Sequence, residues 1–403
     1  MLILLGVTLL GAHAVYAGTP STAYAFVTTQ KGTGNLGGWS EAAGHTGTAA
    51  GDAICQTEAA AAALPAAQNY IAFLSDSNDD LYCRLHGLHG KRSGNCGQST
   101  LPAFAGPWLR LDGTPFATIA LVRDEDMSIT PVLFGADGAE RLSSPIYTGS
   151  TSGAVAGETC GDWSSATATQ SGQYVPDRTL FYAGLGGAPC SNNMSALLCL
   201  LPGPAAVLNY ARRSGRYAFV TQAMSDGDLS RWPEAGGQHG PDAADQICRS
   251  EAASNGLEAP QSYKAWLSDS TQSPALDARS RFANDGPWVR ADGIEIAASL
   301  AALTDPTFSG IHSLPQQIGT PLSASGYFVL TGTNNDGTAY GSNFDCLGGT
   351  SANRADQGIA GYSGGIEGWT ASYHFTCDYP MSHLYCFSDL DRIFGSDFES
   401  VPY

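Results

Sequence analysis

Tyr24-Ala25-Phe26-Val27-Thr28 returns as Tyr217-Ala218-Phe219-Val220-Thr221, at an offset of 193 residues. At the same offset Asp52 and Cys55 match Asp245 and Cys248, and Leu74-Ser75-Asp76-Ser77 matches Leu267-Ser268-Asp269-Ser270. Gly106-Pro107-Trp108, with Arg110, Asp112 and Gly113, then returns as Gly286-Pro287-Trp288, with Arg290, Asp292 and Gly293, at an offset of 180. Cys160, Cys190 and Cys199 match Cys346, Cys377 and Cys386. Ordered repetition over most of a chain is the mark of an internal duplication. The fall in offset gives the first copy thirteen extra residues ahead of Gly106, in a stretch that holds Cys83 and Cys96.

Within each copy the pattern reads strand, helix, strand, then a long region of loops and short strands. Tyr24–Thr28 alternates and is aromatic and β-branched, as a half-buried strand should be. Thr48–Leu64 and Pro241–Leu257 are Ala-rich helices, stopped by Pro65 and by Asn255-Gly256. Cys55 flanks the packed stripe of its helix and can staple it to the sheet. Tyr70–Leu74 and Tyr263–Leu267 read as central strands. Trp108 and Trp288 follow Gly-Pro and read as core residues with bonded indole N–H groups. Arg110 and Asp112, like Arg290 and Asp292, can pair across an Asp-Gly hairpin turn. The boundaries that follow are a first unit at 22–202, a linker at 203–215, a second unit at 216–388 and a tail at 389–403.

The chain has 403 residues, with 19 Lys+Arg against 37 Asp+Glu and a formal charge of −18. Charged residues are only 14% and apolar ones 43%, which excludes a disordered chain. Lys31, Lys91 and Lys264 are the only lysines, so no broad basic face exists for nucleic acid or an anionic membrane. Met1 to Leu10 are nearly all apolar, and small residues lead to Ala17. Residues 1–17 therefore read as a secretory signal, without the usual basic residue ahead of the apolar run. No later apolar run is long enough to span a bilayer, so no transmembrane segment is expected after signal cleavage. The expected location is extracytoplasmic, secreted or at the cell surface.

Ten cysteines, an even count, suit that compartment and predict disulfides. Cys83 and Cys96 arrive together in the insertion and most simply bond to each other. The four shared cysteines of each copy allow three pairings, and spacing does not choose among them.

The shared residues resemble a C-type-lectin-like domain, more narrowly a bacterial secreted family of uncharacterised function related to the endostatin domain of collagens. The segments that carry this are Asp245-Gln246-Ile247-Cys248, Ala265-Trp266-Leu267-Ser268, Gly286-Pro287-Trp288-Val289-Arg290, Leu330-Thr331-Gly332-Thr333 and Leu384-Tyr385-Cys386-Phe387. The first copy keeps weaker forms, Ala72-Phe73-Leu74-Ser75 and Leu197-Leu198-Cys199. The resemblance implies an α+β fold of two tandem C-type-lectin-like domains, each with long loops and nested disulfides. It implies Cys55–Cys199 with Cys160–Cys190, and Cys248–Cys386 with Cys346–Cys377. Closing loops of that length stabilises a fold by about 4 kcal/mol each on an entropic account.

The tripeptides Glu-Pro-Asn, Gln-Pro-Asp and Trp-Asn-Asp that mark calcium-dependent sugar binding in C-type lectins are missing. Asp76, Asn78 and Asp80 have the alternate spacing of a calcium loop, yet Leu81 stands where such a loop needs Gly. They read first as a solvated polar turn, with calcium as the metal they would take; no other cofactor is expected. Arg84, His86, His89, Lys91 and Arg92 lie between Cys83 and Cys96 with no acid among them. They read first as a solvated, disulfide-braced loop and second as an anion-binding site. Gly361-Tyr362-Ser363-Gly364-Gly365 fits the pattern of a nucleophile elbow, but lacks the strand–helix surroundings that elbow needs.

The expected function is that of a non-enzymatic binding protein, its partner a glycan or an extracellular or matrix protein held by the lectin-like loops. The alternatives are an exported enzyme on the same fold and a purely structural surface protein. Two copies on one linker would raise avidity for repeated ligands; no oligomeric state is read from the sequence.

Overall fold

The computed structural model describes residues 22–390 apart from 133, 142–144, 176–185, 206–209, 306–312, 314, 316–326, 367 and 381. Residues 1–17, read above as a secretory signal, and most of the tail lie outside the described residues. The architecture is mixed α+β, and each copy is built on one sheet and one long helix.

In the first copy the central strands are Ala23–Val27 and Ala196–Leu200, antiparallel, with Phe26 opposite Cys199. Trp108–Arg110 lies parallel to Ala23–Val27 and turns back into Pro115–Ala117. On the other side Ala196–Leu200 pairs with Ile146–Tyr147, which continues through Ser171–Val175 to Gly187–Pro189. The second copy repeats this plan. Arg216–Val220 pairs antiparallel with Tyr385–Ser388 and parallel with Trp288–Val289, which turns back into Glu295–Ala297. There the outer strands Phe328–Leu330, Gln357–Tyr362 and Tyr373–Thr376 form a separate three-stranded sheet, linked to the main one by a single bridge from Val329 to His383.

The helices run over Gly47–Ala61 and Gly240–Ser254. Each ends in a left-handed residue. Gly256 adopts it freely at φ 68°, whereas the first helix uses Ala63 at φ 54°, a conformation that disfavours a Cβ. Cys55 and Cys248 face the sheet and bond to Cys199 and Cys386 on the central strands. Cys160–Cys190 and Cys346–Cys377 close the loop regions, and Cys83–Cys96 closes the insertion. These are the five pairings expected, and none joins one copy to the other.

One expectation about the strands is corrected. Ile71–Ala72 and Tyr263–Ala265 are not central: each pairs on one side only, with Ala196–Leu200 or Tyr385–Ser388. They look central in sequence because the helix covers them, and the Asp52 and Asp245 carboxylates accept the N–H of Ala72 and Ala265 at 2.9 Å. The described residues of the 203–215 linker bond to both copies. Gly203 and Ala205 bond to Gly106, Arg213 N–H donates to Gly293 O at 2.8 Å, and Tyr210 O–H donates to Asp292 O at 2.9 Å. The start of the tail is pinned too, since Asp389 pairs with Lys264 at 2.6 Å and accepts the N–H of Ala283 and Asn284.

The cores differ in character. The first holds Phe73, Leu85, Leu198 and Leu200 around Trp108. The second gathers Trp266, Phe282, Trp288, Trp369, Tyr385 and Phe387, many of them edge to face. Met127 of the first copy is buried in that second cluster, with Leu121 and Phe134 packed against it. Beside it, Arg290 Nη1 donates to Ile129 O of the first copy at 2.7 Å. The copies therefore share buried surface. Met127→Ala should destabilise the protein by about 2–3 kcal/mol through a cavity and lost contacts. Because Trp266, Trp288 and Trp369 lie in the affected cluster, the loss should appear in a tryptophan-fluorescence denaturation curve.

Candidate functional site

The loop region of each copy starts from the same buried latch. In the first copy Arg84 donates to Asp52 at 2.5 Å and to the carbonyls of Ala72 and Leu74 at 3.1 and 2.7 Å. In the second, Arg281 donates to Asp245 at 2.6 Å and to Ala265 and Leu267 at 2.7 and 3.3 Å. Ser75 Oγ accepts Leu81 N–H just as Ser268 Oγ accepts Ala278 N–H, so Leu81 and Arg84 correspond to Ala278 and Arg281 at a new offset of 197. Arg84 thus belongs to the shared frame. The second copy is four residues longer between Asp269 and Asp277, and the first is seventeen longer after Arg84.

The other basic residues of the insertion are engaged within their own copy. His86 Nδ1 lies 2.8 Å from Tyr82 O; burial, reinforced by Arg123, holds its pKa below the usual value against the pull of that carbonyl, leaving a neutral ring. His89 meets Asp79 at 2.7 Å. Lys91 reaches Asp76 O at 2.9 Å and Asp80 at 3.3 Å. Arg92 donates to Gly153 O at 2.8 Å and lies over the Tyr82 ring. Asp76, Asn78 and Asp80 form a closed turn: Asp76 accepts the N–H of Asn78 and Asp79, while Asp80 accepts those of Arg92 and Ala156. Among the described residues no three His, Cys, Asp or Glu side chains gather as a metal site.

Ser363 sits just beyond strand Gln357–Tyr362, where its Oγ accepts Tyr327 N–H at 2.8 Å, and the described residues that follow form turns rather than a helix. His383 is buried with Nδ1 2.9 Å from Thr221 O, and His374 meets Tyr340 at 3.2 Å. The Gly-Pro-Trp segments behave as the sequence suggests: Trp108 and Trp288 donate to Leu201 O and Ser388 O at 2.7 and 3.0 Å. Arg110 and Arg290 each pair with the Asp two residues on, at 2.5 Å.

What the sequence did not single out is an aromatic face on the three-stranded sheet. Phe328 lies across from Tyr362 in register, and Tyr373 and Phe375 project on one side of the neighbouring strand. Phe328 is 5.6 Å from Tyr362, 5.1 Å from Tyr373 and 6.1 Å from Tyr379, ring centre to ring centre. The rings are half-exposed, and Tyr373 is 49% exposed. Edge-to-face packing fixes them against one another. None of the three strands carries a Lys or Arg. Following the register, the first copy has Pro145, Gly186 and Ala188 in place of Phe328, Tyr373 and Phe375, with one ring, Tyr174, where the second has Ala360, so among the described residues the clustered rings are peculiar to the second copy.

Fold and site define a duplicated α+β protein stapled by five disulfides, with an aromatic face on one copy. No protein-family model matches the chain, and no curated protein matches it. No helix among the described residues is long and apolar enough to cross a membrane.

Arg84→Ala would leave Asp52 and two strand carbonyls without their cation, and should lower stability by about 3 kcal/mol in chemical denaturation. A second expectation concerns acid. Burial raises the Asp112 carboxyl, but the Arg110 charge and hydrogen bond and the Thr114 N–H outweigh it and hold the pKa below the usual range. A depressed folded value contributes stability above the unfolded pKa, which is lost as pH falls through the folded one. Asp112→Asn should therefore flatten the fall of Tm below about pH 4.

Proposed function

We propose that the chain is an exported, non-enzymatic binding protein of two tandem C-type-lectin-like domains, and that the second recognises a glycan. The aromatic face of Phe328, Tyr362, Tyr373 and Tyr379 carries this reading. Pyranose rings present C–H groups on one face, which suit the electron-rich face of an aromatic ring, while phenol hydroxyls and the exposed Thr376 and Asp378 can meet sugar hydroxyls. Fixed rings lose little conformational freedom on binding. A face without Lys or Arg, in a chain of charge −18, suits a neutral glycan rather than a polyanion.

Five disulfides support an oxidising, extracytoplasmic setting. All ten cysteines are paired, which removes the free thiol that cysteine-based oxidation on this fold would require.

A glycan array probed with the intact protein should give neutral-hexose hits that Tyr373→Ala weakens at least about tenfold. Array hits that survive both Tyr373→Ala and Tyr362→Ala would refute this face, and an array without hits would favour the purely structural alternative.

A further inference from the structure

A cleft of about 340 Å³ opens where the two copies meet. One wall is Tyr24 and the hairpin from Leu109 to Pro115 of the first copy; the other is Tyr210, Ala211 and Arg213 with Gly293 to Glu295. The two Asp-Gly turns produced by the duplication thus line one space. Its walls are set by bonds already made. Tyr210 is tied to Asp292 O, Arg213 N–H to Gly293 O, and the Asp112 carboxylate is held by Arg110 and by Thr114 N–H.

Three charged groups in this cleft remain accessible. Arg213 is exposed and Glu295 half-exposed, and neither is among the ion pairs of the described residues. Asp112 keeps about a third of its side chain open to solvent (31%). With Arg110, the lining carries two guanidinium groups and two carboxylates, so its fixed charge balances. A net anion or a net cation would leave one sign unanswered. A ligand bearing both signs would answer each, its carboxylate on the forked donors of Arg213 and its ammonium beside Glu295 and Asp112. The Tyr24 and Tyr210 rings supply the apolar contact, and the volume falls within the range of small-molecule sites.

We propose that this cleft binds a small zwitterion of the free amino-acid or dipeptide class, in a site that exists only because the two copies are joined. It is independent of the aromatic face. The test is calorimetric titration of the intact protein with glycyl-tyrosine, N-acetyl-glycyl-tyrosine and glycyl-tyrosine amide. The expected result is saturable binding of the free dipeptide at or below about 1 mM, weakened at least about tenfold by either blocking group. Arg213→Ala and Glu295→Gln should each weaken binding by a similar factor with unchanged Tm, while Tyr373→Ala leaves it as it was. Absence of binding at about 10 mM overturns the proposal, as does binding that both cleft variants retain.

Discussion

Each copy depends on one carboxylate at the helix–sheet seam. Asp52 and Asp245 accept the N–H of an edge strand, at Ala72 and Ala265, and the guanidinium of Arg84 or Arg281. That guanidinium in turn bridges two carbonyls of the same chain segment. The helix, the edge strand and the start of the loop region are thus fixed by one buried ion. Removing either partner strands a charge away from water, which costs far more than an exposed pair contributes. The helix disulfide acts a turn later, since Cys55 and Cys248 lie three residues beyond those aspartates.

Much of this frame was legible in the sequence because its segments recur in the same order, each block at a constant offset. The duplicated strands, the helices, the indole donors and the Arg–Asp hairpin pairs all show themselves that way. The Arg84–Arg281 correspondence does not. A four-residue lengthening before it in one copy and a seventeen-residue insertion after it in the other confine its offset of 197 to the few residues between them. Read without that correspondence, Arg84 falls in a basic loop. The edge strands misled for a different reason: a strand whose free N–H groups are capped by a helix carboxylate is as buried as a central one. The aromatic face had no signature at all. Sheet register brings Phe328, Tyr362 and Tyr373 together, and the turn after the last strand adds Tyr379.

The two copies have diverged in opposite directions. The first gained a disulfide-closed insertion whose basic side chains are engaged by Asp79, Asp80 and nearby carbonyls. The second has Phe282, Tyr385 and Phe387 where the first has Leu85, Leu198 and Leu200, and it carries clustered rings on its outer sheet. Large rings bury more surface than the leucines they replace and dominate the energetics where they gather. The aromatic cluster also extends to a residue of the other copy, Met127.

That shared surface changes what duplication means for binding. Arg290 is buried, and its guanidinium donates to Asp292, to Ser313 and to Ile129 O of the first copy. A buried guanidinium must have its donors met, because each one left open forfeits its hydrogen bonds with water. One of the acceptors that the second copy requires therefore lies outside it. Units coupled in this way do not move as beads on a flexible tether, so linker length does not set an effective concentration for two independent sites. With the clustered rings of Phe328, Tyr362, Tyr373 and Tyr379 on the second copy, the duplication adds shared buried surface and a cleft between the copies rather than a second face of the same kind. On the proposed glycan-binding reading, loss of the first copy would weaken recognition by the second through the folding equilibrium, without any contact between the first copy and the ligand.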